Sequence, residues 1–359
     1  MKNKTVVVGM SGGVDSSVAA YLLKKQGYNV IGITMQIWQQ EDTCTIEREG
    51  GCCGLSAVED ARRVAHQLDI PYYVMNFREE FQKNVIDYFV DEYRVGRTPN
   101  PCIACNRYVK WESMLQKSLA IGADYIATGH YARIARLASG RFAVCRSGSL
   151  KKDQTYALYN LTQEQLKHTL FPVGEYEKTQ IREIAEEAGL KVAHKPDSQE
   201  ICFVPDGDYA SFIERETGQR EEPGDFVSID GKVLGKHKGI SHYTVGQRKG
   251  LGISFGEPIF VVELRPETNE VVLGKNNDVF TSHLTANMVN CMAVDHFFEG
   301  QEVIAKIRYN HEGTPAVISS VGEDSFDLTF PEPVRAVTPG QAVVLYDEKN
   351  VLGGGTIRR

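Results

Sequence analysis

The chain has 359 residues, of which 42% are hydrophobic and 24% charged, and its formal net charge is −7. One hydrophobic core seldom grows beyond roughly 250–300 residues, so this length predicts two or three domains of ordinary soluble composition. No apolar run approaches the roughly 18 residues of a membrane span, and eight unevenly scattered cysteines in so long a chain exclude a secreted disulfide scaffold.

A short basic stretch leads directly into the apolar run Thr5–Met10, read as a strand. No leader with a small-residue cleavage site precedes it, so the expected location is the cytoplasm, with no membrane partner. The next residues, Ser11–Gly12–Gly13–Val14–Asp15–Ser16–Ser17, open a segment with helical apolar spacing over Ser16–Gln26. Two glycines let a backbone turn and approach an anion closely. Loop amides and the helix start then point at negative charge, and the Ser16 and Ser17 hydroxyls add donors. Asp15 is out of place beside phosphate unless it orients Mg²⁺ or the loop amides. The loop lacks the Gly-Lys-Ser/Thr ending of a Walker sequence and is not the dinucleotide G-x-G-x-x-G pattern.

Further on, Val30–Met35, Tyr72–Asn76 and Tyr125–Thr128 read as strands, and Ser56–Leu68, Phe81–Arg94 and Tyr108–Leu119 as helices. This alternation predicts a doubly wound parallel sheet covered on both faces, with ligands beyond the carboxyl ends of the strands. The glycine loop, Met35 and Gly129–His130 should therefore gather at one edge. Residues 162–190 read as helical. From about Gly224 short strands with glycine turns take over, among them Phe226–Ile229, Ile259–Leu264, Val271–Leu273, Val303–Ile307, Ala316–Ser319, Ser325–Phe330 and Ala342–Tyr346. These predict small β-rich domains. The expected division is 1–205, 206–280 and 281–359.

Charge is unevenly distributed. Residues 130–154 carry Arg133, Arg136, Arg141, Arg146, Lys151 and Lys152 against Asp153, and residues 231–252 carry Lys232, Lys236, Lys238, Arg248 and Lys249 with no acid. Two basic stretches on an acidic protein suggest a local polyanion site, although solvated loops explain such runs as well.

Two cysteine neighbourhoods differ from the rest: Thr98–Pro99–Asn100–Pro101–Cys102–Ile103–Ala104–Cys105, and Cys202 in a loop flanked by proline and acids. Cys105 lies near the start of the helix read over Tyr108–Leu119, a place that favours thiolate. The Cys102–Cys105 spacing has several readings: half a zinc site without a second pair, a thioredoxin-like pair without its fold, or, with Cys202, three ligands of a 4Fe–4S cluster. Core packing is the alternative for any one of these three and the usual place of the other cysteines, and the vicinal Cys52 and Cys53 receive no role.

The loop resembles the PP-loop, Ser-Gly-Gly-x-Asp-Ser, of the ATP pyrophosphatases. Together with Arg97–Pro101, Ala127–Tyr131, Lys152–Tyr156, Tyr243–Gly250 and Thr338–Gln341, in that order along the whole chain, it resembles the tRNA-specific 2-thiouridylase family. The resemblance implies an adenine nucleotide α-hydrolase-like N-terminal domain, and adenylation followed by thiolation at C2 of the wobble uridine in tRNAs of the Lys, Glu and Gln type. ATP, with Mg²⁺, would be held by Gly9, Met10, Ser11, Gly12, Gly13, Val14, Asp15, Ser16, Met35 and Gly129. Cys105 and Cys202 would be the catalytic pair, linked in a disulfide after each turnover, and Cys202 would carry a persulfide from a cysteine desulfurase or sulfur carrier. Contact with tRNA would fall to Asn100, Pro101, Cys102, His130, Lys152, Asp153, Gln154, Arg308, Tyr309 and Gln341. Some family members have Asp where this chain has Cys102, which leaves the acid/base role open. Two other classes remain: an ATP-pyrophosphatase ligase acting on a small molecule, and a non-catalytic RNA-binding module.

Overall fold

The computed structural model describes residues 4–37, 55–196, 201–253 and 256–358. Cys44, Cys52, Cys53 and residues 197–200 of the Cys202 loop lie outside the described residues. The chain divides into two compact units, one of Met1–Val85, Cys102–Gly207 and Lys349–Val351, the other of Ile86–Pro101, Asp208–Glu348 and Leu352–Arg359. Among the described residues no helix is long and apolar enough to cross a membrane.

The first unit is built on strands β1 (Thr5–Gly9), β2 (Asn29–Gln36), β3 (Tyr72–Asn76) and β4 (Tyr125–Ala127), a hairpin of β5 (Arg133–Arg136) and β6 (Phe142–Cys145), and β7 (Thr169–Leu170). The sheet order is β3-β2-β1-β4-β7 and every pairing is parallel. The run Val6–Val7–Val8 of β1 is buried on both faces, which is why it is apolar without alternation. Val6 and Val8 share one core with Val18, Leu22 and Leu23 of the helix Val14–Lys25, with Ala61 and Val64 of the helix Leu55–Gln67, and with Ile181 and Ala185 of the helix Lys178–Glu187. Each large aliphatic side chain there contributes about 1.5–3 kcal/mol. After β1 the chain winds outward through β2 and β3, then returns to the other side of β1 as β4. The strand order thus reverses between β1 and β4, and a crevice opens beyond their carboxyl ends.

The second unit holds β8 (Gly224–Ser228), β9 (Val233–His237), β10 (Phe260–Arg265) and β11 (Glu270–Gly274) in one sheet of order β10-β11-β8-β9. Phe226, Tyr243, Val261, Val271 and Leu273 form its core. Six further strands, β12 (Phe280–Cys291), β13 (Glu302–Lys306), β14 (Thr314–Val321), β15 (Ser325–Arg335), β16 (Ala342–Tyr346) and β17 (Val351–Ile357), close a barrel in the order β12-β15-β14-β13-β16-β17. Leu284, Ile318, Phe326 and Leu328 are buried in it. The expected class, a parallel α/β sheet followed by β-rich modules, is the observed one.

The structure corrects several local expectations. The helix expected from Tyr108 begins at Pro101: Pro101–Ala104, Cys105–Met114 and Leu115–Ala120 run as one helix with a wide π-helical middle. A proline at the first helical position starts a helix, because its missing N–H is unpaired there anyway. Residues 162–190 are not one helical stretch. Gln163–Lys167 is a short helix, β7 follows, and Lys178–Glu187 begins only after Pro172 and Gly174. Strand β17 was hidden by Gly353–Gly354–Gly355, a composition that weakens a strand signal. Those glycines are steric: a Cβ on Gly353 would lie 2.1 Å from Asn290 O, and one on Gly355 2.8 Å from Asn287 O, both on the neighbouring β12.

Candidate functional site

The glycine loop sits where β1 ends and the helix Val14–Lys25 begins, at the crevice where the strand order reverses. Gly12 has φ +69°, and a Cβ there would meet the backbone of Ala57, 2.3 Å from its oxygen. Gly13 is the N-cap and has extended backbone, with no side chain capping the helix, so the first-turn amides are not claimed by a side-chain cap. The Ser16 and Ser17 hydroxyls donate to Gly13 O at 3.2 and 2.8 Å, and the Ser11 amide donates to Ser16 Oγ at 3.2 Å. Both hydroxyls thus brace the loop in this structure. Met10 and Val14 are buried core residues, and Met35 is half-buried toward the end of β2.

Gly129 follows β4 and closes on the same loop. A Cβ on it would lie 2.6 Å from the Ser16 nitrogen and 2.7 Å from the Asp15 carbonyl carbon. The two glycine motifs therefore form one cradle. Asp15 is engaged from the side: the Tyr131 hydroxyl donates to Oδ1 at 2.7 Å, and Lys178 Nζ lies 2.7 and 2.8 Å from its two oxygens. A cation beside Asp15 is thus present as a side chain. Sequence reasoning missed Lys178 and Tyr131, because neither belongs to the loop.

The thiols occupy two anchored segments of the first unit. Cys102 is exposed in the first turn of the helix Pro101–Ala120; Cys105, half-buried, opens its π-helical part. Wide turns of this kind recur at functional sites. The helix is locked by buried Asn106, whose Nδ2 donates to Ala157 O at 2.9 Å, and by buried Trp111, whose Nε1 donates to Thr169 Oγ1 of β7 at 2.8 Å. Cys202 is half-buried in a turn closed by Val204 N to Ile201 O at 2.9 Å. Its neighbour Phe203 is buried edge-on against Phe81, with ring centroids 5.9 Å apart. Glu80, beside Phe81, pairs with Lys117 of the Cys105 helix at 2.7 Å. Both cysteine segments therefore rest on one pair of packed helices.

Among the described residues, which include Cys102, Cys105 and Cys202, no three His, Cys, Asp or Glu side chains converge to hold a metal ion.

The residues expected at tRNA fall into different settings. Lys152 is exposed. The Asp153 carboxylate accepts from Ser147 N at 2.9 Å and Thr155 N at 3.2 Å, and Gln154 Oε1 accepts from Tyr131 N at 2.8 Å, so these two shape their own loop. In the second unit, Tyr309 is exposed and Arg308 donates to Arg335 O at 2.9 Å. There Gln341 donates through Nε2 to Thr98 O at 2.7 Å and Pro99 O at 3.3 Å, and Thr98 N donates to Pro339 O at 2.8 Å. Gln341 thus holds the segment that leads to Asn100 and Pro101, both at least half-buried.

His130 packs tilted against Trp111 and edge-on to Phe171, with centroids at 5.5 and 6.0 Å, and its Nδ1 lies 2.7 Å from Thr128 Oγ1. Burial, helped by Lys110, holds its pKa well below the ordinary 6.5. The imidazole is neutral at pH 7 and can meet RNA by hydrogen bonding but not by charge. His237 and His311 are shifted the same way, again mainly by burial. In all three the unfolded state takes up a proton first. Stability is therefore complete above pH 6.5 and falls as pH drops below it. Thermal melts from about pH 8 to about pH 5 should show that fall, and His130→Gln should flatten it; a pH-independent melting temperature would contradict the neutral assignment.

The model of the tRNA methyl transferase HUP domain matches residues 4–206. The tRNA methyl transferase PRC-barrel domain matches 210–275, and the aminomethyltransferase β-barrel domain matches 281–357. The tRNA-specific 2-thiouridylase MnmA of Lachnoclostridium phytofermentans is 69% identical over 354 residues, covering 99% of both chains. The proteins of the same name from Clostridioides difficile and Acetivibrio thermocellus are each 58% identical, over 358 and 359 residues, covering 99% and 100% of both chains.

Proposed function

Since this chain belongs to the tRNA-specific 2-thiouridylase family, we propose that it uses ATP to replace the C2 oxygen of the tRNA wobble uridine with sulfur. The observation that carries the nucleotide half is the junction of Gly129 with Asp15–Ser16. It supports one ATP cradle made from two separate motifs at the strand-order reversal.

A carbonyl oxygen is a poor leaving group. Attack of the uridine O2 on the α-phosphorus of ATP, released pyrophosphate being the other product, makes it an adenylate that can leave as AMP. Without a lysine in the loop itself, adenylation suits the site better than transfer of the terminal phosphate. Mg²⁺ accompanies ATP in this reading.

Cys202 carries the incoming sulfur as a persulfide. Its terminal sulfur attacks C2 and AMP departs. Cys105 then attacks the Cys202 sulfur, freeing 2-thiouridine and closing a Cys105–Cys202 disulfide. In the other order, Cys105 attacks the persulfide first, the same disulfide forms, and the released hydrosulfide attacks C2. Either way the disulfide takes two electrons from a reductant before the next turnover, and exchange of this kind needs accessible thiolates. The donor of the persulfide is a cysteine desulfurase or a sulfur-carrier protein, and the reaction takes place in the cytoplasm. The alternative, a 4Fe–4S cluster on Cys102, Cys105 and Cys202, is disfavoured by the donor set, which does not converge among the described residues.

In this reading residues 1–205 hold ATP and the thiols, while 206–280 and 281–359 engage tRNA. Lys152, Arg308 and Tyr309 are the exposed or half-exposed groups suited to phosphate and base contacts. Cys102, exposed at the helix start, faces the target base, which leaves its stack to enter the pocket. Asn100 and Pro101 of the segment held by Gln341 are assigned to the same base.

The test is mass spectrometry of wobble nucleosides after incubating the protein with ATP, a persulfide donor and unmodified tRNA. The expected outcome is 2-thiouridine together with pyrophosphate release that requires tRNA. Release without tRNA would favour a small-molecule ligase, tRNA binding with no release an RNA-binding module, and full activity of iron-free protein removes the cluster.

A further inference from the structure

The loop Ser11–Ser17 has no cationic residue of its own, yet its ligand carries several negative charges. The fold brings a cation in from 163 positions further along the chain. Lys178 Nζ lies 2.7 and 2.8 Å from the two carboxylate oxygens of Asp15, and its side chain is only 14% exposed.

Local rules do not put a lysine there. Lys178 is the first residue of the helix Lys178–Glu187, where the positive end of the helix dipole disfavours a cation. The helix start is fixed independently by a capping box of Glu177 and Gln180, and Ile181 and Ala185 are buried in the core shared with the helix Val14–Lys25. The lysine is thus presented to Asp15 by a rigid element. Tyr131, two residues after Gly129, donates to the same carboxylate at 2.7 Å, and its ring lies 5.8 Å from the ammonium. Three separate segments converge on one acidic group at the mouth of an anion cradle.

We propose that Lys178 is a positioning residue of the nucleotide site: it neutralises Asp15, so that the loop amides alone face the pyrophosphate part of ATP. The proposal rests on the ATP reading above. An unpaired carboxylate within several ångströms of a polyphosphate would repel it, and Coulomb interaction at an intermediate dielectric makes that repulsion worth at least about tenfold in affinity.

The experiment is calorimetric titration of the full chain with inorganic pyrophosphate and with AMP in magnesium-free buffer. Lys178→Met is expected to weaken pyrophosphate at least about tenfold and AMP by less than about threefold. Adding Asp15→Asn to it should return pyrophosphate affinity to within about threefold of the parent, because the unpaired charge is gone. Lys178→Arg should keep it. Equal losses for the two ligands, or no loss, would overturn the proposal, since a merely structural ion pair has no reason to distinguish them. A double variant that stays weak would also overturn it, because Lys178 would then act on the phosphates directly. If melting shows that Lys178→Met does not fold, Asp15→Asn alone decides: it should bind pyrophosphate at least as tightly as the parent, and weaker binding refutes the proposal. A parent protein that binds pyrophosphate while its variants break this pattern sinks the inference alone; a parent that binds neither pyrophosphate nor AMP sinks the nucleotide reading with it.

Discussion

Cys202→Ser protein is expected to make at least about a thousandfold less 2-thiouridine than the parent, while still releasing pyrophosphate when tRNA is present. A hydroxyl cannot hold a persulfide, so the sulfur-transfer half of the reaction stops. In the proposed reading the adenylating half depends on the glycine loop and Gly129, which Cys202 does not build. Cys105→Ser should fall by a similar factor for a different reason. Its Cys202 can still be loaded, but nothing resolves it, so intact mass should show either a persulfidated protein, if hydrosulfide must be released first, or a disulfide-linked tRNA adduct, if the persulfide attacks C2 directly. Neither substitution should disturb the fold, because both thiols are only half-buried and the anchors are their neighbours: Phe203 on Phe81 for one, Asn106 and Trp111 for the other. Normal 2-thiouridine in tRNA from cells relying on either variant would falsify the two-cysteine mechanism.

Gly12→Ala and Gly129→Ala are expected to lower ATP affinity by at least about a hundredfold and to destabilise the protein by about 1–3 kcal/mol. At Gly12 the backbone is left-handed and the methyl would sit 2.3 Å from Ala57 O; at Gly129 it would sit 2.6 Å from Ser16 N. In both cases the obstacle is backbone, which cannot step aside as a flexible side chain can, so the cradle itself must shift. Gly13 is the informative contrast. A Cβ there meets only Ser11 Oγ, at 3.5 Å, so the protein alone accommodates alanine. Gly13→Ala should melt like the parent yet bind ATP more weakly, since only a bound phosphate would meet the methyl. Gly27→Ala serves as control: its φ is +87° with nothing within 4 Å, so it should cost about 1 kcal/mol of backbone strain and leave ATP binding unchanged. Unaltered ATP affinity in Gly129→Ala would show that the two glycine motifs do not share a ligand.

Much of this was legible in one dimension. The run Val6–Val8 is apolar without alternation because a central parallel strand is buried on both faces, and that pattern survives in the sequence. Strand and helix periods predicted the β-α alternation for the same reason. Errors came where a residue has two local meanings. The helix start at Pro101 was placed too late, at Tyr108; the strand through Gly353–Gly355 was not found, because glycines carry no strand signal; residues 162–190 read as helical because their Glu and Lys content outweighed Pro172 and Gly174.

The sequence by itself determined which residue types stand where: a glycine loop at Ser11–Ser16, a second glycine motif at Gly129, and cysteines at 105 and 202, each a local arrangement. Only the tertiary structure decided how these are assembled. It brought Gly129 against Ser16, paired Lys178 with Asp15, tied the Cys105 helix to β7 through Trp111, and put Gln341 on the carbonyls of Thr98 and Pro99. The physical reason is that periodicity and turn chemistry report interactions a few residues apart. A lysine 163 positions from its carboxylate leaves no local pattern, and its partner is set by how the helices pack on the sheet.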